Sequence, residues 1–140
     1  MFAPSRDEAR NFLFETWRRH RAGEALDGLH KTALGVLLLH PEYHALLADP
    51  ERHLERDYRP ESGGTNPFLH LALHLAIEEQ VAIDQPPGIR AEFERLRNRL
   101  GSEHDALHLI LDCLGETIWR AQRDGAAPDA ERYLDCIRRK

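Results

Sequence analysis

The sequence has few of the features that mark secreted, membrane-spanning or metal-thiolate proteins. It contains two cysteines in 140 residues, Cys113 and Cys136, and they do not form a CxxC motif. Isolated cysteines of this kind predict reduced thiols in a cytoplasmic setting. No apolar run is long enough to cross a bilayer, and the first ten residues lack the apolar segment of a signal peptide. We therefore expect a cytoplasmic protein with no membrane partner.

Basic charge and strand-like alternation are also missing. The formal net charge is −5, whereas a general nucleic-acid binder carries a basic excess, so we expect no nucleic-acid partner. No segment of any strength alternates apolar and polar residues with the period of a strand, and leucine, alanine, arginine and glutamate dominate, which favours helix. The length suits one domain. The sequence thus predicts a single all-α domain over residues 1–140, a helical bundle of about five to six helices.

Apolar residues recur with helical spacing in most of the chain, and the breaks between these stretches contain glycine or proline. Residues 49–65 are polar and contain two prolines and two glycines, which predicts a long loop with one helical turn around His53 to Tyr58. In residues 89–100 the apolar side chains Ile89, Phe93, Leu96 and Leu100 form a narrow stripe, and most of the others are charged. We therefore expect an outer helix with Phe93 as its main anchor. Helices are predicted at about residues 5–23, 24–39, 67–83, 89–100, 102–124 and from 128 onward, with a short one at 41–48.

The stretch NPFLHLALHLAIEE, residues 66–79, is the most informative part of the chain. Asn66 is a good N-cap, and Pro67 suits the first helical position, where no amide is needed. The helix is apolar nearly all round, which predicts burial on most sides. His70, His74 and Glu78 follow at intervals of four, so they lie along one stripe of the helix surface.

The same spacing of histidines recurs elsewhere in the sequence. His104, His108 and Asp112 repeat the His-x3-His-x3-acid pattern, and His40 and His44 form a third pair without the acid. Pro41 disfavours helical geometry at His40, so we expect a kink or break there, with His40 near the N-cap of a short helix.

Paired histidines on helices are a common way to build a metal site. A helix presents two imidazoles on one face at i and i+4, and helical bundles bring such pairs together in their cores. Imidazole suits iron and zinc, and carboxylates make manganese possible. The sequence therefore predicts a centre with one or two metals, at which the histidine pairs of the two long helices, His70 with His74 and His104 with His108, converge. With two metals, Glu78 or Asp112 would bridge them. If the protein is an enzyme, a metal-bound water is the nucleophile. The candidate ligands are His40, His44, His70, His74, Glu78, His104, His108 and Asp112.

Two other interpretations stay open from the residues alone. Buried imidazoles need hydrogen-bond partners whether or not metal is present, so the same histidines could form a metal-free network in an interaction protein. Clustered histidines also titrate near neutral pH, which is typical of a pH-responsive module.

The segments HPEYH, NPFLHLALHLAIEEQ with QPPGIR after it, and EHDALH with CLGETIW further on resemble an uncharacterised bacterial family, domain of unknown function 1841. The resemblance covers roughly residues 40–133. It implies a cytosolic protein and no particular activity. More loosely, the arrangement is similar to hemerythrin-like bundles, in which paired histidines and carboxylates on helices hold two irons, and this likeness implies a fold alone.

Overall fold

The computed structural model describes residues 6–53 and 66–140, and these form helices joined by short turns. The predicted all-α class is confirmed, since the described ranges contain no strand. No helix in these ranges is long and apolar enough to span a membrane. The α-helices are α1 (Arg6–Arg21), α2 (Gly28–Leu38), α3 (His44–Leu47), α4 (Pro50–His53), α5 (Pro67–Ile83), α6 (Ile89–Leu100), α7 (Glu103–Asp124) and α8 (Ala130–Arg138), with a 3-10 turn at Pro41–Tyr43.

The described residues form eight α-helices, more than the predicted five to six, because α3 and α4 have four residues each. The α3 helix lies within the short helix predicted at residues 41–48. The short α4 lies at the start of the predicted loop over residues 49–65. His53, which we expected within that loop, ends α4 and is half-buried. The rest of the loop, with most of the helical turn predicted around His53 to Tyr58, lies outside the described residues.

Backbone contacts divide the chain into two compact units, residues 1–75 and 76–140. In the first unit, α1, α2, α3 and the first half of α5 contribute a buried apolar cluster. The Arg10 guanidinium, itself buried, lies over the Phe68 ring at 4.4 Å from its centroid and donates to the His53 carbonyl at 3.2 Å. This cluster consists of Leu13, Phe14, Trp17, Val36, Leu37, Leu47, Phe68 and Leu71.

The second unit contains the end of α5 together with α6, α7 and α8, and a disulfide joins α7 to α8. The bond links Cys113 to Cys136, whose Cα atoms are 5.7 Å apart. The prediction of two reduced thiols is therefore wrong, because the packing of α7 against α8 brings together two cysteines that are 23 residues apart in sequence.

A hydrogen bond joins α8 to the end of α5 in the same unit. Tyr133 donates to Gln80 Oε1 at 2.7 Å, and burial raises the pKa of the Tyr133 phenol.

The face of α5 that is exposed differs from expectation. The apolar composition predicted burial on most sides, yet the side chain of Leu69 is 56% exposed and that of Ile83 is 66% exposed. Leu71, His74 and Ile77 are fully buried, so only one side of the helix enters the interior.

Phe93 is the largest apolar anchor of α6, although Ile89 and Leu96 are buried more completely. Its ring is 7% exposed, and truncation would leave a cavity that neighbouring side chains fill only in part. We expect Phe93→Ala to lower the free energy of unfolding by about 3–5 kcal/mol, measured by urea denaturation. The exposed Glu94 on the same helix is the control, and Glu94→Ala should change it by less than about 0.5 kcal/mol. Equal effects of the two variants would contradict the assigned face of α6.

Candidate metal centre

The start of α5 fixes the position of two histidines. As predicted, Asn66 caps the helix, and its Oδ1 accepts from the amides of Phe68 and Leu69 at 3.0 and 3.1 Å. His70 and His74 then lie one turn apart with ring centroids separated by 5.0 Å. His74 has no exposed surface, and His70 is half-buried.

A proline places the third histidine. The predicted break occurs, since α2 ends at Leu38 and His40 has non-helical backbone angles before the turn that Pro41 begins. In a continuous helix the Leu37 carbonyl would accept from residue 41, but proline has no amide hydrogen. The His40 amide and the Nε2–H of His44 donate to that carbonyl instead, at 3.1 and 2.7 Å.

The side chain of His40 is held in one tautomer. Its Nδ1 lies 2.8 Å from the Val36 carbonyl oxygen, which can only accept, so Nδ1 carries the proton. In the neutral ring, the Nε2 atom of His40 then presents its lone pair, at 3.1 Å from Nε2 of His70. Metal-bound histidines in proteins commonly donate their second ring nitrogen to a backbone carbonyl in this way.

Three imidazoles thus meet in the first unit. One ring nitrogen from each of His40, His70 and His74 lies within 4.8 Å of the others. In a tetrahedral site with metal–nitrogen bonds of about 2.0–2.1 Å, neighbouring nitrogens are about 3.3 Å apart, close to the observed separation between His40 and His70. Among the described residues of the first unit, no carboxylate joins these nitrogens at that distance.

Tyr43 borders this three-histidine cluster. Its ring is nearly parallel to that of His40, with centroids 5.8 Å apart, and meets the His70 ring edge-on at 5.9 Å. Burial, and next the Glu42 carboxylate, raise the pKa of the Tyr43 phenol, so it stays protonated at neutral pH. The cluster therefore has a neutral aromatic neighbour.

His44, the partner of His40 in the sequence pattern, lies in a different contact. Its Nε2–H donates to the Leu37 carbonyl, and its ring packs on Trp17 with centroids 4.2 Å apart. As a metal ligand it would have to offer Nδ1. Its predicted role as a ligand stays a prediction.

The remaining predicted ligands belong to the second unit. The rings of His104 and His108 meet edge-on with centroids 4.1 Å apart, so the i,i+4 pairing on α7 is as expected. Asp112, one turn later, is exposed, and Glu78 is half-buried near the end of α5. That these four residues bind the same metal as His70 and His74 stays a prediction.

Glu78 is perturbed within its own unit. Burial, and next the Glu103 carboxylate, raise the pKa of Glu78 above its ordinary value of 4.5. An acid with a higher pKa in the folded state binds more protons when folded, so the free energy of unfolding falls as pH rises from 4.5 through the folded value. Ionised Glu78 is therefore less favourable in the folded protein than in the unfolded chain, so this group weakens the fold at neutral pH.

In metal-free protein, we expect Glu78→Gln to raise the melting temperature at pH 7. The gain should shrink as pH falls towards 4, because the wild-type carboxyl is then mostly protonated in both the folded and the unfolded state. Thermal unfolding followed by circular dichroism at both pH values measures this, with the exposed Glu79→Gln as control. A lower melting temperature of Glu78→Gln at pH 7 would show that the carboxylate makes a favourable contact.

Sequence reasoning missed the carbonyl groups that orient the histidines. The available signal was Pro41, because its missing amide hydrogen leaves the Leu37 carbonyl in need of a donor near two histidines. The tautomer of His40 also depends on a backbone contact with Val36, which no spacing rule specifies.

Comparison with known proteins gives a family and no activity. A family model described as Domain of unknown function (DUF1841) matches residues 5–139. Searches of curated proteins and of solved structures found no match. The looser likeness to hemerythrin-like bundles therefore has no support from these comparisons.

Proposed function

We propose that this chain, which belongs to the DUF1841 family, is a metal-binding protein whose centre is built on His40, His70 and His74. Each imidazole would give one ring nitrogen to a divalent transition metal. The single observation that supports this most strongly is the orientation of His40. Its Nδ1 proton is donated to the Val36 carbonyl, so the Nε2 lone pair of the neutral ring is directed at Nε2 of His70.

The chemistry of the donors favours zinc, with iron second. Imidazole nitrogen suits zinc, iron, copper and nickel, whereas manganese prefers oxygen ligands. Because no carboxylate among the described residues of the first unit joins the three nitrogens, manganese is the weakest of the three metals considered from sequence.

Three protein ligands leave a tetrahedral ion with one further position. A water in that position would be activated for metal-assisted hydrolysis, as in catalytic zinc sites. With iron, the same position would bind a small ligand such as oxygen or peroxide. A fourth protein ligand would close the site and favour metal sensing or a structural role. The second sequence pair, His104 and His108, is our candidate for that fourth ligand, on the repeated spacing alone.

Cobalt substitution separates the open site from the closed one. Co²⁺ absorbs strongly in the visible range when four-coordinate and weakly when six-coordinate. We expect untagged protein to give a strong spectrum that is lost in His40→Ala and His74→Ala. If His108→Ala or His104→Ala also shifts the spectrum, the site is closed by that histidine. If neither does, the fourth position belongs to water, and added azide should change the spectrum.

One observation favours a second candidate function. The 3.1 Å separation between the His40 and His70 nitrogens also fits a direct N–H···N hydrogen bond. The cluster would then be a metal-free polar network in an interaction protein. That alternative predicts no visible spectrum with Co²⁺, together with loss of stability in His40→Ala.

A further inference from the structure

An open cavity lies beside the disulfide in the second unit, far along α7 from its histidines. It measures about 350 Å³, and residues of α7, of α8 and of the two positions that follow α8 line it. Neither the metal proposal nor the histidine patterns involve this cavity.

The lining of the cavity is strongly basic. Four cationic side chains and one carboxylate contribute to it, namely Arg120, Arg132, Arg139, Lys140 and Glu116. Arg120 pairs with Glu116 at 2.8 Å, and Arg132 lies 3.7 Å from Asp129. Even with both pairs counted as neutral, two cations remain, so the cavity attracts small anions.

The two sulfurs of the disulfide differ in access. Cys113 is fully buried, whereas Cys136 is half-buried and lines the cavity. In thiol–disulfide exchange the thiolate attacks one sulfur along the axis of the S–S bond that breaks, so access decides which sulfur reacts. A thiol in the cavity can therefore reach the sulfur of Cys136, and Cys113 is then the leaving group.

We propose that this cavity, defined by Arg120, Arg132, Arg139 and Lys140 around Cys136, is a thiol-exchange site for small anionic thiols. Their chemical class is a low-molecular-weight thiol that bears a carboxylate or sulfonate. The anionic group binds the cationic side chains while its sulfur approaches Cys136.

The exchange has two balanced steps. The thiolate of the small molecule attacks Cys136 Sγ, a mixed disulfide forms, the Cys113–Cys136 bond breaks, and Cys113 leaves as a thiolate that takes up a proton. A second small thiolate then attacks the sulfur of the bound thiol, which releases a small-molecule disulfide and leaves the Cys136 thiolate. Two small thiols are oxidised, and one protein disulfide is reduced.

Glu116 opposes this binding and so provides a sensitive probe. Its Oε2 lies 3.9 Å from Cys136 Sγ, where an unpaired carboxylate would repel an anionic thiol. The Arg120 partner offsets that repulsion. Removing the Glu116 charge should therefore accelerate exchange with anionic thiols, whereas removing cations should slow it.

The experiment compares reduction of the intact protein by 2-mercaptoethanesulfonate, which is anionic, and 2-mercaptoethanol, which is neutral. Each rate is divided by the rate of the same thiol with a neutral small disulfide. The anionic preference is the normalised rate with 2-mercaptoethanesulfonate divided by that with 2-mercaptoethanol. We expect it to be about tenfold at low ionic strength and to fall towards one in 1 M salt. Mass spectrometry of acid-quenched samples should place the first mixed disulfide on Cys136.

The variants Arg132→Gln and Arg139→Gln should each reduce the anionic preference, and Glu116→Gln should increase it. Arg97→Gln, at an exposed position on α6 that does not line the cavity, should leave it unchanged. An adduct found first on Cys113, a preference near one in wild-type protein, or equal preferences in all four variants would overturn the proposal. So would protein purified without reductant in which both cysteines alkylate as thiols.

Discussion

Chelation should lower the melting temperature of untagged protein at pH 7. A metal that binds only the folded state stabilises it by mass action, by about 2.7 kcal/mol when its concentration is 100 times its dissociation constant. For a chain of this length that corresponds to a shift of roughly 5–15 °C. Differential scanning calorimetry with and without chelator, after loading with zinc or iron, measures the effect.

The shift should depend on pH and on the identity of one histidine. Imidazoles coordinate only when neutral, so the chelator effect should shrink below about pH 6. His70→Ala should remove most of it, whereas His53→Ala, at the end of α4, should keep the wild-type shift. A metal-free network makes a different forecast, because His70→Ala would then destabilise the protein while chelator changed nothing at any pH.

Reducing the disulfide should lower the free energy of unfolding by about as much as removing the metal. Cys113 and Cys136 are 23 residues apart, and closing a loop of that length lowers the entropy of the unfolded chain by an amount equivalent to about 3 kcal/mol. Urea denaturation with and without a phosphine reductant measures this difference in the free energy of unfolding.

A single substitution provides the control for the reductant. Cys136→Ser, at the half-buried end of the bond, should have the stability of reduced wild-type protein within about 1 kcal/mol and should not respond to reductant. Wild-type protein whose stability does not change on complete reduction would contradict a stabilising role for the bond.

The helices could be predicted from the sequence because their signals are local. Asn66 followed by Pro67 marks the start of α5, and the glycines at 101 and 125, both with left-handed backbone angles, mark the ends of α6 and α7. The α3 helix lies within the short helix predicted at residues 41–48, whereas α4 has only four residues, too few for apolar periodicity to define a helix.

The site was predicted only in part, since its geometry depends on contacts between segments. The i,i+4 rule correctly placed His70 beside His74 on one continuous helix. It did not apply to His40 and His44, because the non-helical His40 and the 3-10 turn after it direct their rings to different neighbours. The bond between Cys113 and Cys136 likewise depends on how α7 packs against α8, which neither helix specifies alone.

Metal content is the most direct measure of the central claim, that His40, His70 and His74 hold a metal ion. Untagged protein should be loaded in turn with zinc, iron and manganese, dialysed against metal-free buffer and analysed by mass spectrometry of the elements. We predict about one zinc or iron ion retained per chain. The His40→Gln and His74→Ala variants should retain almost none, and His53→Ala should retain the wild-type amount. Wild-type protein that retains no more of any metal than these two cluster variants would contradict the claim.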